Sequence, residues 1–318
     1  MKSRTEGLAL NVHTLPQVRQ IYQNHILDST HWDHYNPRDD DIVIATSIKS
    51  GTTWMQHIIL RLIFLAQDVP PVLKVSPWLD TRFRPLERAL AMLEAQEHRR
   101  CIKTHLPLDG LPFFPQVKYI VVGRSPRDVF MSLWNHYSNH SDEFISYVNQ
   151  LPGRVGEPFP AAPSDIHTFW QSWINRGWFE WEEEGYPYWG NMHHTQTWWN
   201  FRHLNNILFV HFNDLLANLE EEMRTITSFL EMEVSAESIA NVAQAVRFSA
   251  LKKKAIADEK EPSMVFNGGA KTFFYKGTNG RWKGVLSENE LAMCEATKSW
   301  VLTPECARWL ELGSVALR

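Results

Sequence analysis

One loop of the sequence combines residue types that bind anions. It lies between an apolar run and a segment of helical periodicity. Its residues are Ile48, Lys49, Ser50, Gly51, Thr52, Thr53 and Trp54. A glycine allows a tight turn, the N-terminus of a helix presents unpaired N–H groups, and a lysine and hydroxyl groups add donors. The loop therefore predicts a cradle for an anion such as phosphate, with Trp54 placed to offer its ring to a base.

This loop differs from the phosphate-binding loop of nucleotide triphosphatases. That motif, G-x-x-x-x-G-K-[ST], places its lysine directly after a glycine at the end of the turn. Here Lys49 follows Ile48 and precedes the turn at Gly51. The structural alternative is a helix cap rich in Ser and Thr with a solvated lysine. The position between a strand and a helix favours the anion site.

A second candidate for chemistry lies at the end of another apolar run. Lys103 and His105 are two residues apart, so on a strand their side chains point to the same side. A histidine near its ordinary pKa of about 6.5 accepts a proton at neutral pH, and the pair would suit acid/base chemistry in a cleft. For one histidine among 14 taken alone, a surface or core role is the alternative.

The elements that position these residues alternate along the chain. Buried strands are predicted at 41–46, 101–104, 119–123 and 207–211. Helices are predicted at 53–66, 126–139 and 214–230. This alternation predicts the α/β class, with a central parallel sheet flanked by helices in three layers. The chemistry should then lie beyond the carboxyl ends of the strands.

Composition excludes several classes of function. The 318 residues carry 32 Lys and Arg against 36 Asp and Glu, a formal charge of −4, which argues against a nucleic-acid partner. The three cysteines form no C-x-x-C pair, as expected in a reducing compartment. The N-terminus lacks an apolar signal core, and the apolar stretch 58–66 is short and contains Arg61. We therefore expect a cytoplasmic protein without a membrane span.

The anion loop also carries a resemblance to a known family. Residues 49–54, Lys-Ser-Gly-Thr-Thr-Trp, resemble the 5′-phosphosulfate-binding loop of the cytosolic sulfotransferases. These enzymes use 3′-phosphoadenosine-5′-phosphosulfate (PAPS) as sulfuryl donor and release adenosine 3′,5′-bisphosphate (PAP). The family's usual lead-in is Tyr-Pro-Lys, whereas Ser47 and Ile48 precede Lys49 here. The resemblance implies a P-loop-like domain.

Three further segments, in collinear order, support the resemblance. The segment 103–107 is similar to the one that carries the family's catalytic base, which implies that role for His105. Arg124 and Ser132 resemble the family's pair that holds the donor's 3′-phosphate; Arg suits this role by its planar fork. Residues 275–283 resemble an element, Arg-Lys-Gly-x-x-Gly-x-Trp-Lys, that closes over the same phosphate.

This last element departs from the family pattern at two positions. Tyr275 stands where the family has Arg, so one expected phosphate charge is missing, while Lys276 and Gly277 carry over. Arg281 stands where an Asp is common and would compensate for the missing charge.

The adenine side of the site retains aromatic residues with fewer polar groups. Phe212 occupies the place of an aromatic residue, usually Tyr, that follows the fourth strand in the family. Of a Thr-Ser-Phe triplet, only Phe248 remains. Trp54 and Phe248 would sandwich the base by stacking, which gives no discrimination among bases.

The resemblance implies in-line sulfuryl transfer to an acceptor hydroxyl or, less often, an amine. Lys49 would neutralise the bridging oxygen of the donor, and the N–H groups of 51–54 would bind its 5′-phosphate. His105 would accept the acceptor's proton, with Lys103 near the sulfuryl oxygens. Ser132 would restrain Lys49 until an acceptor binds. No metal is required.

Metal binding is the alternative for the histidine pair His136 and His140. Their i, i+4 spacing fits one helix face, but no glutamate follows the first histidine as in H-E-x-x-H. We therefore expect no metal site.

We predict one domain over residues 1–318. The spacing of Leu15, Val18, Ile21, Tyr22 and Ile26 predicts a helix in an N-terminal helical extension, 1–40. Residues 140–205 would form a helical insertion on the acceptor side. Residues 255–286, which are rich in glycine, would form a loop covering the nucleotide.

The acceptor side contains an excess of tryptophan. Seven of the 14 tryptophans lie between 170 and 199, at spacings that fit a core, with an acceptor wall or a partner surface as alternatives. A tryptophan wall would favour a planar or hydrophobic small-molecule acceptor. Glu180 and residues 182–184 read as a solvated helix end, or as an acidic rim for a cationic acceptor.

Three other functions compete with sulfuryl transfer. They are a P-loop-type kinase, a nucleotide-binding protein without turnover, and an interaction module built on the tryptophans. The first lacks the Gly-Lys-Ser/Thr junction, and the second would be expected to have lost Lys49 or His105. Neither the acceptor nor the oligomeric state follows from the sequence, since the family's C-terminal dimer motif is not recognisable.

Overall fold

A parallel sheet forms the centre of the protein, in a computed structural model that describes residues 14–65, 69–259 and 264–317. The four strands lie in the order β2-β1-β3-β4. They are β1 (Ile42–Thr46), β2 (Cys101–Thr104), β3 (Lys118–Gly123) and β4 (Ile207–His211). Each lies within one residue of a predicted strand, and the α/β class with a parallel sheet flanked by helices is confirmed.

The sheet is a buried middle layer because its strands are apolar on both faces. Every residue of β1 is buried, and β1 pairs in parallel with both β2 and β3. Side chains alternate between the faces of a strand. Accordingly, Val43 and Ala45 belong to one hydrophobic cluster, and Ile42 and Ile44 to another. Helices cover both faces, as continuous apolar strands require.

Helices precede, connect and follow the strands. They are α1 (Thr52–Phe64), α2 (Val72–Val75), α3 (Leu86–Glu94), α4 (Pro126–Tyr137), α5 (Asp142–Gln150), α6 (Ile166–Asn175), α7 (Asn191–Trp199), α8 (Phe212–Ala217), α9 (Leu219–Phe229), α10 (Ala236–Ala245), α11 (Phe248–Asp258), α12 (Gly269–Phe273), α13 (Glu288–Val301) and α14 (Pro304–Leu312). Short 3-10 helices span Ser29–His34, Leu108–Gly110 and Gly313–Leu317. The helix predicted at 214–230 divides into α8 and α9, because Asn218 adopts a non-helical backbone, φ −149°. No helix among the described residues could cross a membrane.

The helix predicted near the N-terminus is not formed. Residues 14–28 contain no helix, and of the five apolar residues that suggested one, only Tyr22 and Ile26 are buried. The backbone N–H groups of Arg19 and Gln20 instead donate to the Asp109 carbonyl, at 2.7 and 3.0 Å. These tertiary hydrogen bonds replace those of a helix. Residues 1–13 of the predicted extension lie outside the described residues.

The tryptophan-rich segment is mainly core. Trp170, Trp173 and Trp198 are fully buried, and Trp199 nearly so. Of the seven tryptophans between 170 and 199, Trp189 is the one that lines the cavity described below. Burial of these large side chains stabilises the fold and leaves one of them for the site.

Two glutamates of the expected solvated helix end are buried instead. Glu184 accepts hydrogen bonds from the N–H groups of Asn191 and Met192, at 3.1 and 2.8 Å, where α7 begins. Glu182 accepts one from Gly190 at 2.9 Å. Burial raises the pKa of Glu182 to about 8 and that of Glu184 to about 7. Both side chains therefore accept hydrogen bonds from N–H groups at a helix N-terminus, and neither lines the cavity as an acidic rim.

Candidate active site

One cavity of about 450 Å³ opens at the carboxyl ends of the strands. Most of the predicted site residues line it: Lys49, Gly51, Thr52, Thr53, Trp54, Lys103, His105, Arg124, Ser132, Phe212, Phe248, Tyr275, Lys276 and Gly277. Ser50 does not, because its hydroxyl is buried 2.7 Å from that of Ser47. Residues from segments far apart in sequence thus meet around a single space, as the predicted topology requires.

The anion loop is a tight turn held by side-chain hydrogen bonds. Lys49 and Gly51 both have positive φ, 65° and 110°, and a Cβ on Gly51 would lie 3.0 Å from the Phe212 ring. Asn191 Nδ2 donates to the Ser47 hydroxyl at 2.6 Å, and the Ser47 and Ser50 hydroxyls contact each other. An uncommon backbone conformation persists where its surroundings determine it, and these contacts do so here.

Positive charge gathers along one half of the cavity. We call Lys49, residues 51–54, Arg124 and Arg281 its cationic half. Burial, reinforced by the charges of Arg124 and Lys103, lowers the pKa of Lys49 to about 7. Burial lowers the pKa of Arg124 to about 10. Among the described residues that line the cavity, none is Asp or Glu. The charge of Asp128, which does not line the cavity, acts on Arg124 and Arg281. Several cations that face one cavity without a carboxylate in its described lining indicate an anionic ligand.

His136, which sequence reasoning treated as a metal candidate, contacts Lys49. The Lys49 ammonium lies 3.3 Å from His136 Nδ1 and 4.9 Å from the centre of the Phe273 ring. Burial and the Lys49 charge hold the pKa of His136 well below its ordinary value, so the neutral ring accepts a hydrogen bond from the ammonium. Ser132, the predicted partner of Lys49, lines the cavity, but the described contacts of the Lys49 ammonium are to His136 and Phe273.

His105 is oriented by the backbone of β1. Its Nδ1 lies 2.7 Å from the Thr46 carbonyl oxygen, so Nδ1 carries the hydrogen and Nε2 is left as the basic nitrogen. Trp78 and Trp189 pack on the ring, with centroids 4.9 and 5.3 Å away. The sequence suggested an ordinary pKa for His105. In the structure, burial and the charge of Lys103 hold the pKa of His105 well below the ordinary histidine value. His105 is therefore neutral at pH 7.

Lys103 lies near a buried carboxylate, Asp80, that the sequence did not reveal and that also accepts a hydrogen bond from the His105 backbone N–H at 3.4 Å. Its ammonium is 4.0 Å from the centre of the Trp78 ring. Burial lowers the pKa of Lys103 to about 8, against the opposing effect of the Asp80 charge. Asp80 accepts hydrogen bonds from the indoles of Trp78 and Trp32, at 2.8 and 3.1 Å. The carboxylate thereby fixes Trp78, which contacts both Lys103 and His105.

Aromatic and aliphatic side chains form the other half of the cavity, which we call the aromatic half. Its residues are Ile26, Trp78, Phe83, Phe144, Tyr147, Tyr188, Trp189, Met264, Val265, Phe266 and Phe273. They come from loops and helices that are far apart in the sequence. One polar pair interrupts this wall, where His140 Nε2 lies 2.9 Å from the Tyr188 hydroxyl.

The residues expected to hold a base also lie together. Trp54 donates from its indole to the Val246 carbonyl at 2.9 Å, and its ring meets that of Phe212 edge to face. Gly277 has φ 65°, and a Cβ there would lie 2.6 Å from the Phe248 ring. Glycine is required because of both this backbone conformation and the close approach.

The two histidines considered as metal ligands contact other side chains. His136 and His140 pack ring against ring, with centroids 4.8 Å apart, and contact Lys49 and Tyr188 respectively. Among the described residues, no group of three or more His, Cys, Asp or Glu is placed to hold a metal ion.

Comparison with known proteins identifies the family. The model of the sulfotransferase domain matches residues 39–299, and the chain belongs to this family. It is 30% identical over 315 residues to a glycolipid sulfotransferase of Mycobacterium tuberculosis, covering 93% of this chain and 95% of that protein. It is 27% identical to sulfotransferase 1A1 of Rattus norvegicus, covering 79% and 81%. The predicted class, a PAPS-dependent sulfotransferase, is confirmed.

Solved structures show the same fold. A mouse sulfotransferase, SULT7A1, complexed with PAP, superposes with a TM-score of 0.67 at 21% identity, covering 88% of this chain and 90% of that one. A retinol dehydratase in complex with androsterone and PAP superposes with a TM-score of 0.64 at 22% identity, covering 85% and 82%. At this identity the likeness concerns the arrangement of the chain.

Proposed function

We propose that the protein transfers the sulfuryl group of PAPS to a hydroxyl group of a small hydrophobic acceptor, with His105 as general base. One observation carries the proposal. A single cavity joins a half lined by buried cations to a half lined by aromatic rings, and His105 faces it with Nε2 unprotonated. An anionic donor and an apolar acceptor would meet at that nitrogen.

The donor would bind along the cationic half. The loop N–H groups of 51–54 would bind the 5′-phosphate at the start of α1, where a helix favours an anion. Arg124 and Ser132, with Lys276 and Gly277 of the covering loop, would surround the 3′-phosphate. Trp54 and Phe248 would stack on adenine, beside Phe212 and Tyr275. Ser50 would act through the loop backbone, since its hydroxyl faces Ser47.

The chemistry is a displacement at sulfur. His105 Nε2 takes the proton of the acceptor hydroxyl as its oxygen forms a bond to sulfur, and the bond from sulfur to the bridging phosphate oxygen breaks. The electron pair of that bond stays on the phosphate oxygen, where Lys49 neutralises the developing charge. Lys103, beside His105, would stabilise the sulfuryl oxygens. The Lys49 ammonium would move away from His136 to reach the bridging oxygen of the donor.

The aromatic half favours an uncharged acceptor. Because Asp and Glu are absent from the described wall and the Lys103 ammonium lies 4.0 Å from the centre of the Trp78 ring, a protonated amine would be repelled there. Apolar rings would bury a hydrophobic alcohol or phenol. The named relatives, a glycolipid sulfotransferase and a dehydratase bound to androsterone, also handle hydrophobic molecules.

Calorimetry and a transfer assay test the proposal. Without added metal, PAP should bind more tightly than ATP, and the protein should sulfate 2-naphthol more efficiently than an arylalkylamine of similar size. Tighter binding of ATP would contradict the donor assignment. A preference for the amine would contradict the acceptor assignment.

A further inference from the structure

The guanidinium of Arg124 is held by Asn279, a residue at a position that the element resembled by 275–283 leaves unspecified. Arg124 Nε and Nη2 both donate to Asn279 Oδ1, at 3.0 and 2.7 Å. Nη1 donates to the Lys49 carbonyl at 3.0 Å, and the plane of the group lies over the Phe212 ring at 4.2 Å. One edge of the guanidinium is thus fixed by Asn279, and its plane by Phe212.

Asn279 is itself anchored to the fold. Its Nδ2 donates to Asn213 Oδ1 at 2.6 Å, and the next residue, Gly280, donates its N–H to Asp128 Oδ1 at 2.6 Å. Asn213 belongs to α8 and Asp128 to α4, so the turn at 278–280 is attached to two helices. These anchors do not involve the Arg124 side chain. The fold therefore fixes the position of Asn279 independently of the guanidinium that it holds.

The same segment contributes a second guanidinium to the cavity. Arg281 lines the cavity, its buried Nε has no hydrogen-bond partner among the described residues, and its charge adds to burial in lowering the pKa of Arg124. Two neighbouring guanidinium groups, one of them with an unpaired donor, fit a phosphate group.

We infer that Asn279 is a positioning residue that orients Arg124 toward the donor's 3′-phosphate, with Arg281 as a second cation at that phosphate. The Arg124 guanidinium already donates hydrogen bonds to Asn279 Oδ1, to the Lys49 carbonyl and, at 3.3 Å, to the Thr278 carbonyl. Of the five N–H groups of the guanidinium, these four contacts leave one, on Nη1, for a ligand. The inference rests on the proposed function, in which Arg124 contacts the 3′-phosphate. Its consequence is selectivity for a nucleotide that carries that group.

Titration of PAP and of AMP, which lacks the 3′-phosphate, tests the inference by calorimetry. Asn279→Ala should weaken PAP binding about tenfold or more, as expected when a hydrogen bond to a charged group is lost, and should change AMP binding less than twofold. Asn279→Asp should weaken PAP binding further, because a carboxylate would pair with Arg124 and repel the phosphate. Arg281→Ala should likewise weaken PAP binding and leave AMP binding nearly unchanged.

Thr278→Ala is the matched control. Thr278 contacts Arg124 through its backbone carbonyl, so removing the exposed side chain should leave both affinities unchanged. Unchanged AMP binding also shows that a variant is folded. Equal losses of PAP and AMP binding in Asn279→Ala, or tighter PAP binding, would overturn the inference.

Arg124→Ala separates this inference from the proposed function. If Arg124→Ala loses the preference for PAP over AMP while Asn279→Ala retains it, the positioning role is wrong and the role of Arg124 stands. If Arg124→Ala retains the preference, the assignment of Arg124 to the 3′-phosphate is itself wrong.

Discussion

The two halves of the cavity are built in different ways. Most of the cationic half comes from turns that directly follow strands, with Lys49 after β1 and Arg124 after β3, while Arg281 comes from the segment 275–283. The aromatic half comes mainly from side chains on loops and helices, such as Phe83, Tyr188 and Phe266, whereas Trp78 pairs with β2 at Lys103. The first half is fixed by backbone geometry and buried hydrogen bonds, and the second by ring packing. Donor recognition should therefore depend on a few polar atoms, and acceptor recognition on shape and apolar area.

Loss of the Lys49 charge is the strongest test of the cationic half. Lys49→Ala should lower kcat on the order of a hundred- to thousandfold, as when one group that stabilises developing charge is removed. Lys118→Ala is the control, because this lysine begins β3 at the opposite end of the sheet and pairs with Glu231. A loss below tenfold in Lys49→Ala would remove this residue from the proposed chemistry.

The pH dependence of donor binding should come from the same half. The pKa of Lys49 is lowered to about 7, so its charge is present below pH 7 and is lost as the pH rises. An anionic ligand favours the charged form, so PAP affinity should fall by up to about tenfold per pH unit above pH 7. Calorimetry from pH 6 to 9 measures this. In Lys49→Ala the fall of PAP affinity with pH should become shallower. The remaining fall would come from the smaller contribution of Lys103, whose pKa is about 8. An unchanged slope would contradict the prediction.

A substitution in the aromatic half should change acceptor binding and leave donor binding unchanged. Phe83→Ala removes a half-buried ring of the wall, which contributes about 1.5–3 kcal/mol when buried, so KM for 2-naphthol should rise about tenfold. PAP affinity should not change. Trp300→Ala, at an exposed position of α13, is the control. Equal effects on donor and acceptor would mean that the two halves are not separable.

A smaller effect is expected at the contact that joins the anion loop to α7. Asn191→Ala removes the hydrogen bond to Ser47 and should lower the free energy of unfolding by about 1 kcal/mol and PAP affinity several-fold. Asn200→Ala, at the other end of α7, should leave PAP affinity unchanged. Denaturant unfolding and calorimetry measure the two quantities. Unaltered PAP affinity in Asn191→Ala would show that the loop holds its shape without this contact.

The same contrast explains what the sequence could predict. The strands and the residues that follow them were predictable, because a buried β-branched run, a turn and a helix are adjacent in the chain. The contacts of those residues were not, because Lys49 and His136 are 87 residues apart, and Arg124 and Asn279 are 155 apart. Burial also changed the chemistry of His105, whose low pKa no local pattern indicates.

The N-terminal helix and the glutamates were predicted wrongly for a related reason. The apolar spacing near Tyr22 fits a helix, but backbone N–H groups there bond to the Asp109 carbonyl. Glu182 and Glu184 look solvated in sequence, yet N–H groups at the start of α7 hold them inside. In each case a hydrogen bond to a distant segment outweighed local propensity.

The central claim is that His105 takes the acceptor's proton in this cavity, and one pair of measurements on His105→Ala tests it most directly. PAP affinity should stay within about threefold of wild type, since the ring contacts Thr46 and two tryptophans and lies outside the loop that would bind the donor. Transfer from PAPS to 2-naphthol should fall by about a hundredfold or more, the usual contribution of a general base. Transfer at a tenth of the wild-type rate, with PAP still bound, would contradict the account.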